Sequence, residues 1–444
     1  MLTFSIILGL SFFTLTAMIA VAHGTRVGRV TFLDWTVLAM GGVYGLGWVL
    51  ILITLQSQWG PLAEWIHQSR HILPLHTIAA TLLLAGVLSG WYLAPFRLIS
   101  NLSSARNEPV AHLLQRWRLF AWSLLMLAAV FQWIYTTALG GPIQALEYSR
   151  LIRAGFVVEN PWSFLKPLGG FAMISAFAFF GLIVSGERRI VTYLGGLLAF
   201  SLSLFVLYSW AGRMGFVVFV TTFALSMLLV KRQNPLRAII WGGSMVALGL
   251  TLAYGISIWL EIKPAENLVV FLSRELMFPF ASFFAHWSEG VSQFRWLLDF
   301  LVSPIFLLPS SIWGPWFVTA GEVNTILIMG LPKGVDGQTA AIPTDLVTLG
   351  FLQLHVVGIV LVGGVFGAIL RGLQHLIDRI ALAGVRSVFE AYVALKIAVL
   401  GVFYAQPDLL ISGNFALIAA AVWFFVLRIV GRFRFGVSAI ERVR

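Results

Sequence analysis

The chain has 444 residues, 59% of them hydrophobic and only 11% charged, against about 25% charged residues in soluble domains; the expected fold class is an all-α polytopic integral membrane protein. It contains no cysteine, which excludes disulfides, thiolate metal sites and a cysteine nucleophile together. The net charge of +11 would suggest nucleic acid for a soluble chain. In a membrane protein lysine and arginine collect in cytoplasmic loops instead, so no nucleic-acid partner is expected.

A span needs about 20 apolar residues. That criterion predicts about eleven spans, and eleven to thirteen if two ambiguous runs are counted, near 3–22, 32–55, 73–95, 118–138, 167–185, 190–209, 214–230, 238–260, 345–370, 388–405 and 409–428. The first run lacks a basic leader and a small-residue cleavage site followed by a soluble domain, so it reads as a retained span. Arg26 and Arg29, Arg97 to Arg118, Arg188 and Arg189, Lys231 to Arg237, Arg371 to Arg386, and the tail from Arg428 to Arg444 all fall on one side of this arrangement. That side is cytoplasmic by the positive-inside rule, with the N-terminus outside and the C-terminus inside. Residues 1–444 read as a single membrane domain.

The exception is 261–344, a long outer region between spans that mixes Arg274, Glu275, His286, Glu289, Arg295, Asp299, Glu322, Lys333 and Asp336 with tryptophan, phenylalanine and proline. Its apolar runs near 268–287 and 296–318 carry Arg274 and Glu275, and Asp299 with Pro304, Pro309 and Pro315. A central charge costs roughly 2.5–3.5 kcal/mol on insertion, and proline breaks a helix unless its neighbours compensate. Amphipathic or re-entrant helices at the outer interface are therefore expected, forming the roof and one wall of a polar cavity. Gly41-x-x-x-Gly45 and Gly363-x-x-x-Gly367 read as close helix packing. Lys396, inside a predicted span, is expected to pair with a carboxylate on another span.

No phosphate-binding loop, H-E-x-x-H, G-x-S-x-G or Cys/His constellation occurs, so neither a metal nor a cofactor is expected. What remains is a set of outer arginines: Arg153, Arg213 in the tight turn Trp210 to Gly215, and Arg274. A guanidinium fork matches phosphate oxygens, and three around one cavity would hold a pyrophosphate and stabilise it as a leaving group. Singly, the same arginines fit snorkelling, or pairing with Glu147 and Glu275. Arg150, Arg295 and Lys333 are further outer cations for substrate binding, and Trp287, with Trp162, Trp313 and Trp316, could stack on sugar rings. Candidates for taking a proton are His286, Glu289, Asp336, Asp345 and His355. Asp345 equally fits a helix cap, and His355 a core histidine.

Four stretches then act together: Tyr148-Ser149-Arg150-Leu151-Ile152-Arg153-Ala154-Gly155; the hairpin Gly212-Arg213-Met214-Gly215 opening an apolar helix; Arg274 followed by Pro279; and the run from Asp345 through Gln353, Leu354 and His355 to Gly358. In this order and context, over roughly residues 130–430, the chain resembles the bacterial O-antigen polymerases (Wzy). One departure is His355, where relatives tend to have glycine. The resemblance implies a GT-C-like, metal-independent glycosyltransferase on the periplasmic face of the inner membrane. Its donor would be a glycan on undecaprenyl pyrophosphate and its acceptor the next lipid-linked repeat unit. It would act among membrane lipids beside a flippase and a chain-length regulator, with Arg153, Arg213 and Arg274 in the pyrophosphate roles. Two rivals are an O-antigen ligase, for which His286 would be the outer-loop histidine, and a lipid-linked oligosaccharide flippase or transporter, which predicts charges deep in several spans.

Overall fold

The computed structural model describes residues 1–95, 109–154, 160–210, 213–230, 234–259, 267–289, 294–336, 338 and 341–427. Every regular element among them is helical. Seven described helices are long and apolar enough to cross a membrane: Leu2–Val27, Phe32–Ser57, Pro74–Leu93, Val110–Thr137, Ser163–Val184, Ile190–Ser209 and Leu346–Asp378. Leu268–Glu275 and Phe278–Glu289 pass the same test only as a pair, bent by 44°. The run near 296–318 holds only short pieces, Leu298–Leu301, Ser303–Leu307 and Ser310–Trp313, none of which can cross a bilayer. Proline sets these breaks: Pro304 opens one piece and Pro309 caps the next, because a prolyl nitrogen has no hydrogen to give the preceding turn.

The chain forms two compact units. The second comprises Leu102–Gly212, Arg379–Phe389 and Ser412–Arg444. In it Trp117 packs on Phe120, Phe389 and Phe424, and Ser175 donates to the carbonyl of Ala121. Arg118 and Arg189 flank the buried Glu187.

The first unit comprises Met1–Asn101, Arg213–Asp378 and Glu390–Ile411. Its closest packing joins Pro74–Leu93 to the later part of Leu346–Asp378. A methyl added at Gly86 or Gly90 would strike the carbonyl of Val360 or Gly364, and one at Gly363 or Gly367 the carbonyl of Leu83 or Val87. Matching residues rise together in number, so the helices run in the same direction. The glycine pair at 363 and 367 is thus a packing face, and Gly41 and Gly45 similarly receive Thr16, Phe13 and the backbone of Gly9.

Leu346–Asp378, at 33 residues, would be about 50 Å long if straight, well beyond the roughly 30 Å of a bilayer core. It is not straight. Leu354 and His355 leave the helical region, and a methyl at Gly358 would meet the carbonyl of Gly350, eight residues earlier. In a continuous helix residues so spaced lie about 12 Å apart; here the chain has doubled back. The short arm 346–353 lies against the start of the arm 356–378, which is about 34 Å long and fits one crossing. The span expected near 345–370 is therefore a re-entrant arm followed by a crossing helix.

Lys396 is a correction of a different kind. It lies in the π-helical turn Ala394–Val399, makes no ion pair among the described residues and is only half-buried; Glu390 accepts from Gln374 instead.

Gly86→Ala should lower the thermal midpoint of the purified protein through overpacking worth about 1–3 kcal/mol. Gly243→Ala, whose new methyl meets nothing within 4 Å, should leave it unchanged or raise it; equal midpoints for the two variants would contradict the packing described.

Candidate functional site at the chain reversal

The reversal is the most strained point of the first unit. His355 has φ 56 and ψ −141, backbone space that is nearly confined to glycine and costs a side-chain-bearing residue about 1–3 kcal/mol. It persists because its surroundings fix it. The carbonyls of Leu352 and Gln353, which have lost helical partners, accept from the backbone nitrogens of Arg295 and Trp296, each at 3.1 Å. Trp296 and Leu297 are themselves left-handed, with φ 51 and 60, so two sharp turns are clasped together.

Asp299, only 1% exposed, holds the clasp. Its carboxylate accepts from Arg295 Nε and Nη2, from Gln353 Nε2 at 2.7 Å and from the backbone nitrogen of Ala320 at 3.2 Å. Arg295 Nη2 also donates to the carbonyl of Val318 at 2.7 Å. Around the turn the His355 ring lies 4.2 Å from Phe351, 5.7 Å from Trp287 and 6.2 Å from Phe294. Trp296 and Phe294 stay largely exposed, so aromatic faces are presented beside a fixed polar cluster.

A buried polar layer continues from the other end of the short arm. Asp345 caps that arm, accepting from the backbone nitrogens of Val347 and Thr348 at 3.0 and 3.3 Å and from the Tyr44 hydroxyl at 2.8 Å. The backbone nitrogen of Thr344 donates to Gln406 Oε1 at 2.8 Å, and Gln406 Nε2 donates to Asp408. Burial raises the Asp408 carboxyl above its ordinary value, against the hydrogen bond from Gln406. Asn324 Nδ2 donates to Ser282 Oγ and to the carbonyls of Ile342 and Pro343, while its Oδ1 accepts from His286 Nε2 at 3.1 Å. Segment 342–345 is thus gripped on all sides.

The sequence candidates are distributed over this layout as follows. His286 and Asp345 are buried within the polar layer, at 6% and 0% exposure. Trp287, Arg295 and His355 gather at the reversal. Arg274 is half-buried, with its guanidinium 5.0 Å over the exposed Trp59 ring. Lys333 is exposed on the turn before Asp336, and Glu289 is exposed at the end of Phe278–Glu289. Arg150 and Arg153 belong to Pro142–Ala154 in the second unit, and Arg213 opens Arg213–Val230 in the first; all three side chains lie outside the described residues. Among the described residues no group of three or more His, Asp or Glu could hold a metal.

Sequence reasoning missed Tyr44, Asn324 and Gln406, uncharged residues with no motif, and His76. The His76 ring is fully buried, 4.2 Å from Phe280 and 5.3 Å from Tyr44, and neither nitrogen has a hydrogen-bond partner among the described residues.

If the clasp imposes the conformation of His355, then His355→Gly should be more stable than His355→Ala by about 1–2 kcal/mol in thermal unfolding, reversing the helical preference for alanine. Alanine equal to or better than glycine would remove the strain from the account. The chain matches no protein-family model, no curated protein and no solved structure, and the reading of the site rests on its own residues and geometry.

Proposed function

We propose that the protein is a GT-C-like membrane glycosyltransferase that polymerises undecaprenyl-pyrophosphate-linked oligosaccharide repeat units into O-antigen or a related surface polysaccharide. The observation that carries this reading is the clasped reversal. Exposed aromatic faces at Phe294 and Trp296, with Trp287 and His355 half-buried beside them, adjoin a rigid polar cluster, an arrangement suited to stacking sugar rings against fixed hydrogen-bonding groups. Backbone strain held in place by surrounding bonds is characteristic of binding and catalytic sites. Arg274, over Trp59 in the same unit, would supply a cation for the diphosphate, and Arg213 and Arg153 would take the same role on the resemblance described above. The reaction needs the sugar acceptor deprotonated and the lipid diphosphate stabilised as it leaves. Asp345 and His286 are the carboxylate and imidazole of the adjoining layer, and an acceptor hydroxyl would reach them through opening of that layer. On this reading the spans number about eleven, the site faces the periplasm, and a flippase and a chain-length regulator work alongside.

Two experiments test the proposal. Purified protein in liposomes with lipid-linked repeat units should lengthen the glycan without another enzyme; translocation without lengthening would identify a transporter. In cells, loss of the gene should leave lipopolysaccharide with a single repeat unit, whereas loss of a ligase leaves none.

Arg213→Ala and Arg274→Ala should abolish chain growth while inserting normally, and Arg274→Lys should rescue poorly because lysine lacks the planar fork. Wild-type glycan length in both alanine variants would refute the assignment. Because the chain has no cysteine, Lys333→Cys should react with an impermeant maleimide in intact spheroplasts and Arg237→Cys only after permeabilisation; the opposite pattern would reverse the orientation.

A further inference from the structure

The end of the first unit opposite the reversal carries a second site that the proposed reaction does not use. A cavity of about 210 Å³ opens there between helices, its polar walls including His23, Arg29, Thr31, Arg371, His375 and Asp378. Its one lining carboxylate is already saturated: Asp378 receives both Nη1 and Nη2 of Arg29, and Gln374 Nε2 at 3.2 Å. The neighbouring acids lie behind the walls. Asp34, at 0% exposure, accepts from His23 Nδ1 at 2.7 Å and from the nitrogen and hydroxyl of Thr31. Glu390 accepts from Gln374 Nε2.

Arg371 is the contrast. It forms no ion pair or hydrogen bond among the described residues, and its guanidinium is held 5.2 Å over the Trp91 ring. A cation–π contact of this kind takes up none of the guanidinium N–H donors, so the fork of Arg371 has no hydrogen-bond acceptor among the described residues. His23 faces the same indole edge-on, its ring centroid 6.3 Å away. With Nδ1 committed to Asp34, it has Nε2 left, which donates when the ring is protonated. Arg29 is bonded to Asp378 and also feels Glu390, so among the lining arginines Arg371 is the one that makes no ion pair among the described residues. The helix beginning at Phe32 also points its N-terminus at this wall, through Thr31, which favours an anion further.

We propose that this cavity binds a phosphate group, with the Arg371 fork as its principal ligand, supplied either by an anionic phospholipid headgroup or by free phosphate. A stacked arginine whose fork has no carboxylate partner fits phosphate oxygens bidentately, and basic pockets between membrane helices take lipid headgroups on the same principle.

The test uses the full chain purified in neutral detergent, with phosphatidylglycerol, phosphatidylcholine and inorganic phosphate as probes. Native mass spectrometry reads lipid retention, and thermal unfolding reads phosphate. Phosphatidylglycerol should be retained in preference to phosphatidylcholine. Retention should fall about fivefold in Arg371→Gln, the effect of removing one surface cation, and should fall partly in Arg371→Lys, which keeps the charge and loses the fork. Arg26→Gln, a neighbouring cation that does not line the cavity, should retain the lipid as wild type does. If inorganic phosphate raises the thermal midpoint of the wild type but not of Arg371→Gln, while phosphatidylglycerol is not retained, the site takes soluble phosphate. Binding of either probe undiminished in Arg371→Gln, equal loss in Arg26→Gln, or no binding of either probe to the wild type would overturn the proposal.

Discussion

A backbone that turns round inside an apolar protein exposes carbonyls that lipid cannot solvate, and the first unit is arranged around meeting that demand. Each buried carbonyl left unmet would cost about 1–3 kcal/mol, and the glycine-like backbone of His355 costs a similar amount. The Arg295 and Trp296 nitrogens remove the first cost at Leu352 and Gln353, but only while residues 294–297 stay in register with the turn. That register is fixed by a buried carboxylate. Asp299 binds the Arg295 side chain from one strand of the clasp and the Gln353 side chain from the other, so two segments more than fifty residues apart are tied to one point.

The same demand explains why the broken helices of the roof are rich in polar side chains. Where the chain enters the short arm at Ile342 to Asp345, backbone groups lack their usual partners. Asn324, Thr325, Gln406 and Asp345 supply them. A layer built this way is both a structural necessity and a concentration of hydrogen-bonding groups in an otherwise apolar protein. Polar and ionisable groups at such positions are the usual mark of a working site in a membrane protein, which links the fold to the function proposed for it.

Hydropathy made most of the long helices legible. The runs expected at 3–22, 32–55, 73–95 and 190–209 appear as Leu2–Val27, Phe32–Ser57, Pro74–Leu93 and Ile190–Ser209, because lipid and helix interior both reward apolar side chains and neither depends on their order. The reversal was invisible for the same reason. Leu349, Phe351, Leu352, Ile359 and Val362 are apolar and buried on both sides of it, so their composition carries no trace of a turn. The turn has no glycine or proline at its apex to announce it; a histidine occupies a glycine's place. Gly350 and Gly358 bring the two backbones together once the arm folds back, but residues eight apart also fall on one face of a continuous helix, so their spacing did not announce the turn. Lys396 misled in the opposite direction: it lies in a π-helical turn inside its helix and makes no ion pair among the described residues.

The bonding also separates cations that composition treats alike. Arg295 was a natural candidate for an anionic substrate, but its fork is spent on Asp299 and on the carbonyl of Val318. Releasing it would strand a buried carboxylate at about 3–5 kcal/mol, more than a surface contact to phosphate returns, and would undo the clasp as well. Arg295 therefore contributes position to the clasp. Arg274 and Arg371 each place the guanidinium carbon near a tryptophan ring, 5.0 Å from the exposed Trp59 and 5.2 Å from the cavity-lining Trp91. Such a contact orders the long side chain, so at Arg371 part of the entropy cost of fixing the fork is met before an anion arrives. In this unit Arg29 and Arg295, held by carboxylates, tie distant segments together, whereas Arg371, held near an indole, makes no ion pair among the described residues.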